Sequence, residues 1–460
     1  MSQSPGMNSG QRGWNGQPIG RLYGWGIEPA IVGRMMREDA WMLGIERSRT
    51  RLVRVLRRVA NIAHIGRALC VCRGTMRLVN SLVSMCIEER QMPSGRGLVM
   101  GTAVAAPGEL VYGHLDVMEL PNGVPERLPV LIAQGQEDGP TLWLTANIHG
   151  AEYAGIPSIH RIMTPALPAR LRGTVVALPS LNPSGLRIGS RTASYDPIDP
   201  NRTYPMRQQA DDDSEESKAP LGVYEQIAAT IWGHIKPSAD LLLDLHNASI
   251  GSVPFTIRDR VLYDGEADRP RADALATKLD DLARVFGLSL VNEANVAEYV
   301  RKQLHRSVAG AAVNEAGIPA LTLELGMGIG VDWPAVEAAA RGIENTLIWA
   351  GMVEGEVRAP AAVTVVHCGF PVKRDDTARA RVTGLVAPLL QPGDRFSMGD
   401  VLATMTDLWG RQLPDGEIRA PADGWLIGWS NNLLKYRGQI VAALAVRDDD
   451  SLVAAFPPKR

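Results

Sequence analysis

Between residues 100 and 358 the chain alternates short, unbroken apolar runs with longer stretches of helical periodicity, and this alternation restricts the fold more than any other feature. The runs V-L-I-A (130–133), L-W-L-T-A-N-I (142–148), T-V-V-A-L (174–178), L-L-L-D-L (241–245) and A-L-T-L-E-L (320–325) have the length and bounding turns of buried strands. Helical stretches lie between and after them at 156–163, 224–235, 272–286 and 333–349. Apolar strands alternating with helices predict an α/β domain whose mostly parallel sheet is covered by helices. Such sheets hold their ligands outside the carboxyl ends of the strands, so the residues at those ends decide the chemistry.

Two of the runs end in histidine. The run at 142–148 stops at His149, with Gly150 and then Glu152 following. A tight turn there brings imidazole and carboxylate to one side, a donor pair that suits Zn²⁺. The run at 241–245 stops at His246, a third candidate ligand; three protein ligands leave a zinc ion one position for water. Asp244 points the same way as His246, two residues along one strand, and either orients an imidazole or supports the edge of the site. Glu324 stands inside a third apolar run, where an unpaired carboxylate costs several kcal/mol. It reads as a general base for a metal-activated water, or else as half of a core ion pair with Arg. The loop after residue 178 carries Arg187, Arg191 and Arg202 among turn-formers such as Asn182-Pro183 and Asn201. Guanidinium groups beside such a water can stabilise an oxyanion or grip a carboxylate.

The flanks differ from this core. Residues 1–99 are rich in Arg, lack Lys and hold three of the four Cys; they read as an N-terminal appendage, disordered or loosely helical, without catalytic residues. Residues 361–460 are short strand-like runs among Q-P-G-D, L-P-D-G-E and P-A-D-G turns, which predicts a smaller all-β domain. The acidic stretch 211–217 reads as a solvated loop. A hydrophobic content of 45% and a formal net charge of −2 describe a soluble protein with no global attraction to nucleic acid or an anionic membrane. Four Cys without ligand spacing argue against disulfides and thiolate zinc, and place the chain in the reducing cytoplasm. Homo-oligomerisation is left open.

The motifs H-G-A-E, N-P-x-G…R, D-P-N-R, D-L-H-N and L-E-L-G, in this order, make the chain from about residue 101 onward resemble the succinylglutamate desuccinylase/aspartoacylase family of zinc-carboxypeptidase-like metallohydrolases. The resemblance implies one Zn²⁺ per chain on His149, Glu152 and His246, with Glu324 as base and proton shuttle. It implies that Arg191 polarises the scissile carbonyl, and that Asn201 and Arg202 help hold the carboxylate end of the substrate. Pro200 stands where the family usually has Leu, which stiffens that loop.

The expectation is therefore a zinc-dependent deacylase that hydrolyses the N-acyl bond of an acylated amino acid or similar small metabolite. Two alternatives stay open at this stage: a zinc carboxypeptidase acting on peptides, and a non-catalytic binding protein of the same fold.

Overall fold

Each of the five apolar runs lies in a strand of one sheet. The computed structural model describes residues 98–457 apart from 121–122, 206–220, 249–250 and 327–329. All but the last residues of the Arg-rich appendage, and the acidic stretch 211–217, fall outside the described residues.

The chain enters through the hairpin β1 (Leu110–Glu119) and β2 (Pro125–Gln134), followed by β3 (Glu137–Ala146). Helix α1 (Gly155–Ile162) leads to β4 (Arg172–Leu178), and helix α2 (Val223–Ser238) to β5 (Leu241–His246). Then come β6 (Phe255–Arg258), α3 (Arg269–Phe286), β7 (Ser289–Asn292), β8 (Ala320–Glu324) and α4 (Trp333–Trp349). The apolar stripes of α3 and α4, among them Leu279, Leu282, Phe286, Ile343 and Leu347, are fully buried in the core they share with β3, β5 and β8. At α4, Asp332 accepts the Ala335 N–H as N-cap and Pro334 fills the first turn.

After residue 361 the chain is all strand: β9 (Val372–Asp375), β10 (Gly384–Pro388), β11 (Arg395–Phe396), β12 (Val401–Thr406), β13 (Ile418–Arg419), β14 (Gly424–Trp429), β15 (Leu434–Lys435) and β16 (Ala442–Arg447). Four of these form a separate antiparallel sheet in the order β13-β12-β10-β15. The other four extend the main sheet, whose order is β11-β14-β16-β9-β7-β6-β8-β5-β3-β4-β2-β1. The C-terminal strands enclose their own apolar cluster, including Val386, Leu402, Met405 and Leu444. A further cluster, with Phe255, Val291, Val372 and Trp425, bonds them to β6 and β7. The described residues form one compact unit. No helix among the described residues is long and apolar enough to cross a membrane.

The main sheet is mixed, which corrects the expectation of a mostly parallel one. Strands β4, β3, β5 and β8 are parallel, but β6 pairs antiparallel with β8, and both edges are antiparallel. The cause is connection length. Parallel neighbours need a crossover of about a dozen residues or more, whereas only the eight residues 247–254 separate β5 from β6. From β6, helix α3 provides a crossover, and β7 and then β9 run parallel to β6. Two sets of strand ends, facing opposite ways, thus share one sheet face.

Candidate active site

The loop that leaves β3 is shaped by Asn147. Its backbone is left-handed at φ 56°, a conformation Asn tolerates better than most residues. Its side-chain amide donates to the carbonyls of His149, Gly150 and Glu152 at 3.2, 3.1 and 2.8 Å, and its oxygen accepts from Ser180 Oγ at 2.7 Å. Gly150 is packed so closely on the neighbouring loop that a Cβ would lie 2.1 Å from the Gly185 carbonyl carbon. Asn182 caps the short helix Pro183–Ile188 and donates to Ile148 O at 3.1 Å, fixing the second loop against the first. Asn182-Pro183 is thus turn chemistry in support of the site.

This scaffold brings His149, Glu152 and His246 together, with one ligand atom of each within 4.8 Å of the others. His149 Nδ1 lies 2.8 Å from Glu152 Oε1, and His246 Nδ1 lies 2.8 Å from Glu152 Oε2. The opposite ring nitrogens meet carboxylates: His149 Nε2 is 3.1 Å from Asp199, and His246 Nε2 is 2.8 Å from Asp244. Asp244 is completely buried and takes a second hydrogen bond from Thr145 Oγ1 at 2.7 Å. With a cation between them, neutral imidazoles held this way would keep their proton on Nε2 and turn the Nδ1 lone pair inward. Two such lone pairs and a carboxylate converging in a buried place need positive charge between them, so the donor set fits a divalent cation, and Zn²⁺ by ligand type. The same place favours positive charge on the imidazoles themselves. Burial works against ionising Glu152, but His246 and His149 hold its carboxyl far below the usual range. Burial likewise opposes a charged His246, yet Asp244 and Glu152 raise its pKa well above normal.

Glu324 is beside His246 in the β8–β5 register, on the same face of the sheet. Its Oε2 is buried without a hydrogen-bond partner, and no salt bridge to Glu324 is formed among the described residues, although the buried Arg374 guanidinium acts on it electrostatically. Burial, with Glu152 adding to it, raises its pKa above the ordinary carboxylate value. Arg191 reaches the same place from the loop: Nη1 lies 3.6 Å from Glu152 and Nη2 2.8 Å from Asp199. Asn201 Oδ1 accepts the Val308 N–H at 2.9 Å and its amide lies 3.4 Å from His246, while its carbonyl accepts Arg202 Nη1 at 2.6 Å. Arg202 lines the cleft, and burial lowers its pKa. Arg187 does not join them; it lies 3.7 Å from Glu126, away from the cleft.

The cleft, of about 210 Å³, contains residues that sequence reasoning did not single out: Asp259, Glu293 and Arg374, with Ile427 and Ala443 from the C-terminal strands. Asp199, which holds His149 and Arg191 from beside the cleft, was not singled out either, although it stands in the D-P-N-R motif. Burial disfavours its charge, but His149 and Arg191 keep it well below the usual carboxylate range. Its position before Asn-Arg was the available signal.

Residues 138–349 match the model of the succinylglutamate desuccinylase/aspartoacylase catalytic domain. That stretch is a succinylglutamate desuccinylase/aspartoacylase catalytic domain. A curated relative, the N-alpha-acetyl-L-2,4-diaminobutyric acid deacetylase of Halomonas elongata, is 28% identical over 302 residues, covering 65% of this chain and 80% of the relative. Among solved structures, the succinylglutamate desuccinylase/aspartoacylase of Rhodobacter sphaeroides shares the fold with a TM-score of 0.58 and 23% identity, over 74% of this chain and 96% of that one. The product-bound ectoine utilization protein EutE (DoeB) of Ruegeria pomeroyi does so with a TM-score of 0.58 and 24% identity, over 77% and 98%. Pro200, where the succinylglutamate desuccinylase/aspartoacylase family usually has Leu, opens the 3₁₀ turn Pro200–Arg202, a position suited to its fixed φ. Asp199 caps that turn by accepting the Asn201 N–H at 2.9 Å.

Proposed function

We propose that this protein is a zinc-dependent deacylase that hydrolyses the N-acyl amide of a small acylated amino acid. The observation that carries this reading is the inward convergence of His149 Nδ1, His246 Nδ1 and Glu152, next to the buried, unpartnered Oε2 of Glu324. The match of residues 138–349 to the family's catalytic domain and the deacetylase activity named for the Halomonas relative support it.

His149, Glu152 and His246 would hold the metal, one ion per chain, in the zinc-carboxypeptidase-like manner. When bound, zinc supplies Lewis acidity that makes a water nucleophilic near neutral pH. Glu324 takes the proton of the attacking water and returns it to the departing amine; its raised pKa suits both halves of that exchange. Arg191, steadied by Asp199, stabilises the charge that develops on the acyl oxygen, a contribution of roughly 3–4 kcal/mol for one well-placed donor. Arg202 pairs with no carboxylate among the described residues and orients the substrate's carboxylate, while Asn201 holds Arg202 and the turn in place. Residues 100–358 supply this machinery. Residues 361–460 act as a wall: Ile427 and Ala443 close one side of the cleft, which favours a small metabolite over a peptide.

The test is an assay of acetyl-, succinyl- and longer acyl-amino acids beside short peptides, on protein purified without a polyhistidine tag and analysed for metal. Release of the acyl group together with near-stoichiometric zinc is the expected result. Peptide cleavage without deacylation would overturn the reading, as would full activity in zinc-free protein.

A further inference from the structure

No helix or strand is formed between Ile188 and Pro200, yet this stretch carries Arg191, whose guanidinium has to point at one place in the cleft. A segment without a backbone ladder of its own keeps its position only through ties to neighbouring elements. One tie is made by Arg191 itself. Its carbonyl accepts the Gly150 N–H at 3.3 Å and lies 3.4 Å from the Asn182 side-chain amide, which binds the segment to the loop that leaves β3. The second tie comes two residues later and from another part of the fold. The Ala193 N–H donates to the hydroxyl oxygen of Tyr224, which also lies 3.5 Å from Asn182 Nδ2. Ala193 is buried, and its N–H has no other acceptor among the described residues.

Tyr224 stands in the first turn of α2 and is itself buried. The same helix sinks Ile227, Ala228 and Ile231 into the main core, so the hydroxyl is a fixed point to which the irregular segment is fastened. The Tyr195 ring tilts against the Tyr224 ring, with centroids 6.2 Å apart. The neighbouring Glu225 accepts Arg306 Nη2 at 3.0 Å, and two residues beyond Arg306 the Val308 N–H holds Asn201. One helical turn therefore reaches the Arg191 segment directly and the Asn201-Arg202 turn through residues 306–308. Tyr224 does not line the cleft, so hydrolysis gives its hydroxyl no task at the reacting atoms.

We propose that Tyr224 is a positioning residue for Arg191: by accepting the Ala193 N–H, its hydroxyl holds the segment that aims the guanidinium at the acyl oxygen. This rests on the deacylase reading and adds to it a residue that acts wholly through Arg191.

Tyr224→Phe keeps the ring packing against Tyr195 and removes only the acceptor. Its kcat toward an acylated amino acid should fall about tenfold, since small misplacements of a reacting group are costly. KM and zinc content should stay within about twofold, a split that marks loss of an interaction made in the transition state. A double-mutant cycle isolates the route. In an Arg191→Ala background, Tyr224→Phe should change kcat by less than about twofold, because the group it positions is gone. A tenfold loss in both backgrounds would overturn the inference, as would an unchanged kcat in Y224F or in the Arg191→Ala protein. Hydrogen exchange read by mass spectrometry follows the tether without any turnover. Exchange across residues 189–199 should be about tenfold faster in Y224F than in the parent, with residues 225–238 unaltered. That result supports the tether even where no amide is cleaved, whereas equal exchange in the two proteins rejects it even where deacylation is observed.

Discussion

Asp199 Oδ1 lies 3.1 Å from His149 Nε2, and Oδ2 of the same carboxylate accepts a 2.8 Å hydrogen bond from Arg191. One side chain thus couples a candidate metal ligand to the candidate oxyanion donor. Asp199→Asn keeps the shape and removes the charge. Zinc affinity should fall about 10- to 100-fold, and kcat should fall further at saturating zinc because Arg191 loses its anchor. Zinc titration and steady-state kinetics measure the two effects separately; unaltered zinc affinity would take Asp199 out of the metal's support.

Glu324→Gln should leave zinc content intact and lower kcat by about 10²- to 10⁴-fold, the usual range for loss of a general acid–base group. The Oε2 atom has no partner to lose, so folding should be little affected. A fully active E324Q enzyme places the base elsewhere.

Chelation should abolish activity, and zinc should restore it where magnesium does not, since two imidazoles are poor ligands for a hard cation. The same treatment should lower the unfolding temperature. A ligand at a hundred times its Kd adds about 2.7 kcal/mol to stability, and chelation takes that contribution away.

Stability should also depend on pH through Asp259. Its carboxyl titrates near 3.8 in the unfolded chain and about 7 in the folded one. Between those values the folded protein holds a proton that the unfolded chain has lost, so stability falls as pH rises through this window. Asp259→Asn should therefore raise the unfolding temperature at pH 8 and change it little near pH 4. A variant that melts identically to the parent at both pH values would show that the carboxylate is neutralised by other means.

Arg260 and Asp448 form an ion pair at 3.0 Å with both side chains completely buried, tying the end of the last sheet strand to the turn after β6. Asp448→Ala strands the guanidinium and should cost about 3–5 kcal/mol. Denaturant midpoints would reveal the loss. Zinc affinity should stay within about twofold, because neither residue lines the cleft.

The five central strands were legible because each is a short apolar run bounded by turn chemistry, and α4 was legible over its whole length. His149, Glu152 and His246 could be grouped because each stands at the exit of such a run. The reversal at β6 was not legible. It depends on the short link 247–254, and F-T-I-R carries no sign of which neighbour it will pair with. The row of Asp259, Glu293 and Arg374 was hidden for the same reason, since register among three distant segments is fixed by packing across the sheet. Arg187 and Arg191 looked alike in the sequence; only the helical turn between them sends one toward Glu126 and the other toward Glu152.

Arg374, Ile427 and Ala443 reach the cleft from a part of the chain that contributes none of the hydrolytic side chains. Part of the cleft wall is therefore encoded apart from the hydrolytic residues, in a different stretch of the gene. Mutational drift in the terminal hundred codons can reshape that wall while the bond-breaking apparatus stays untouched.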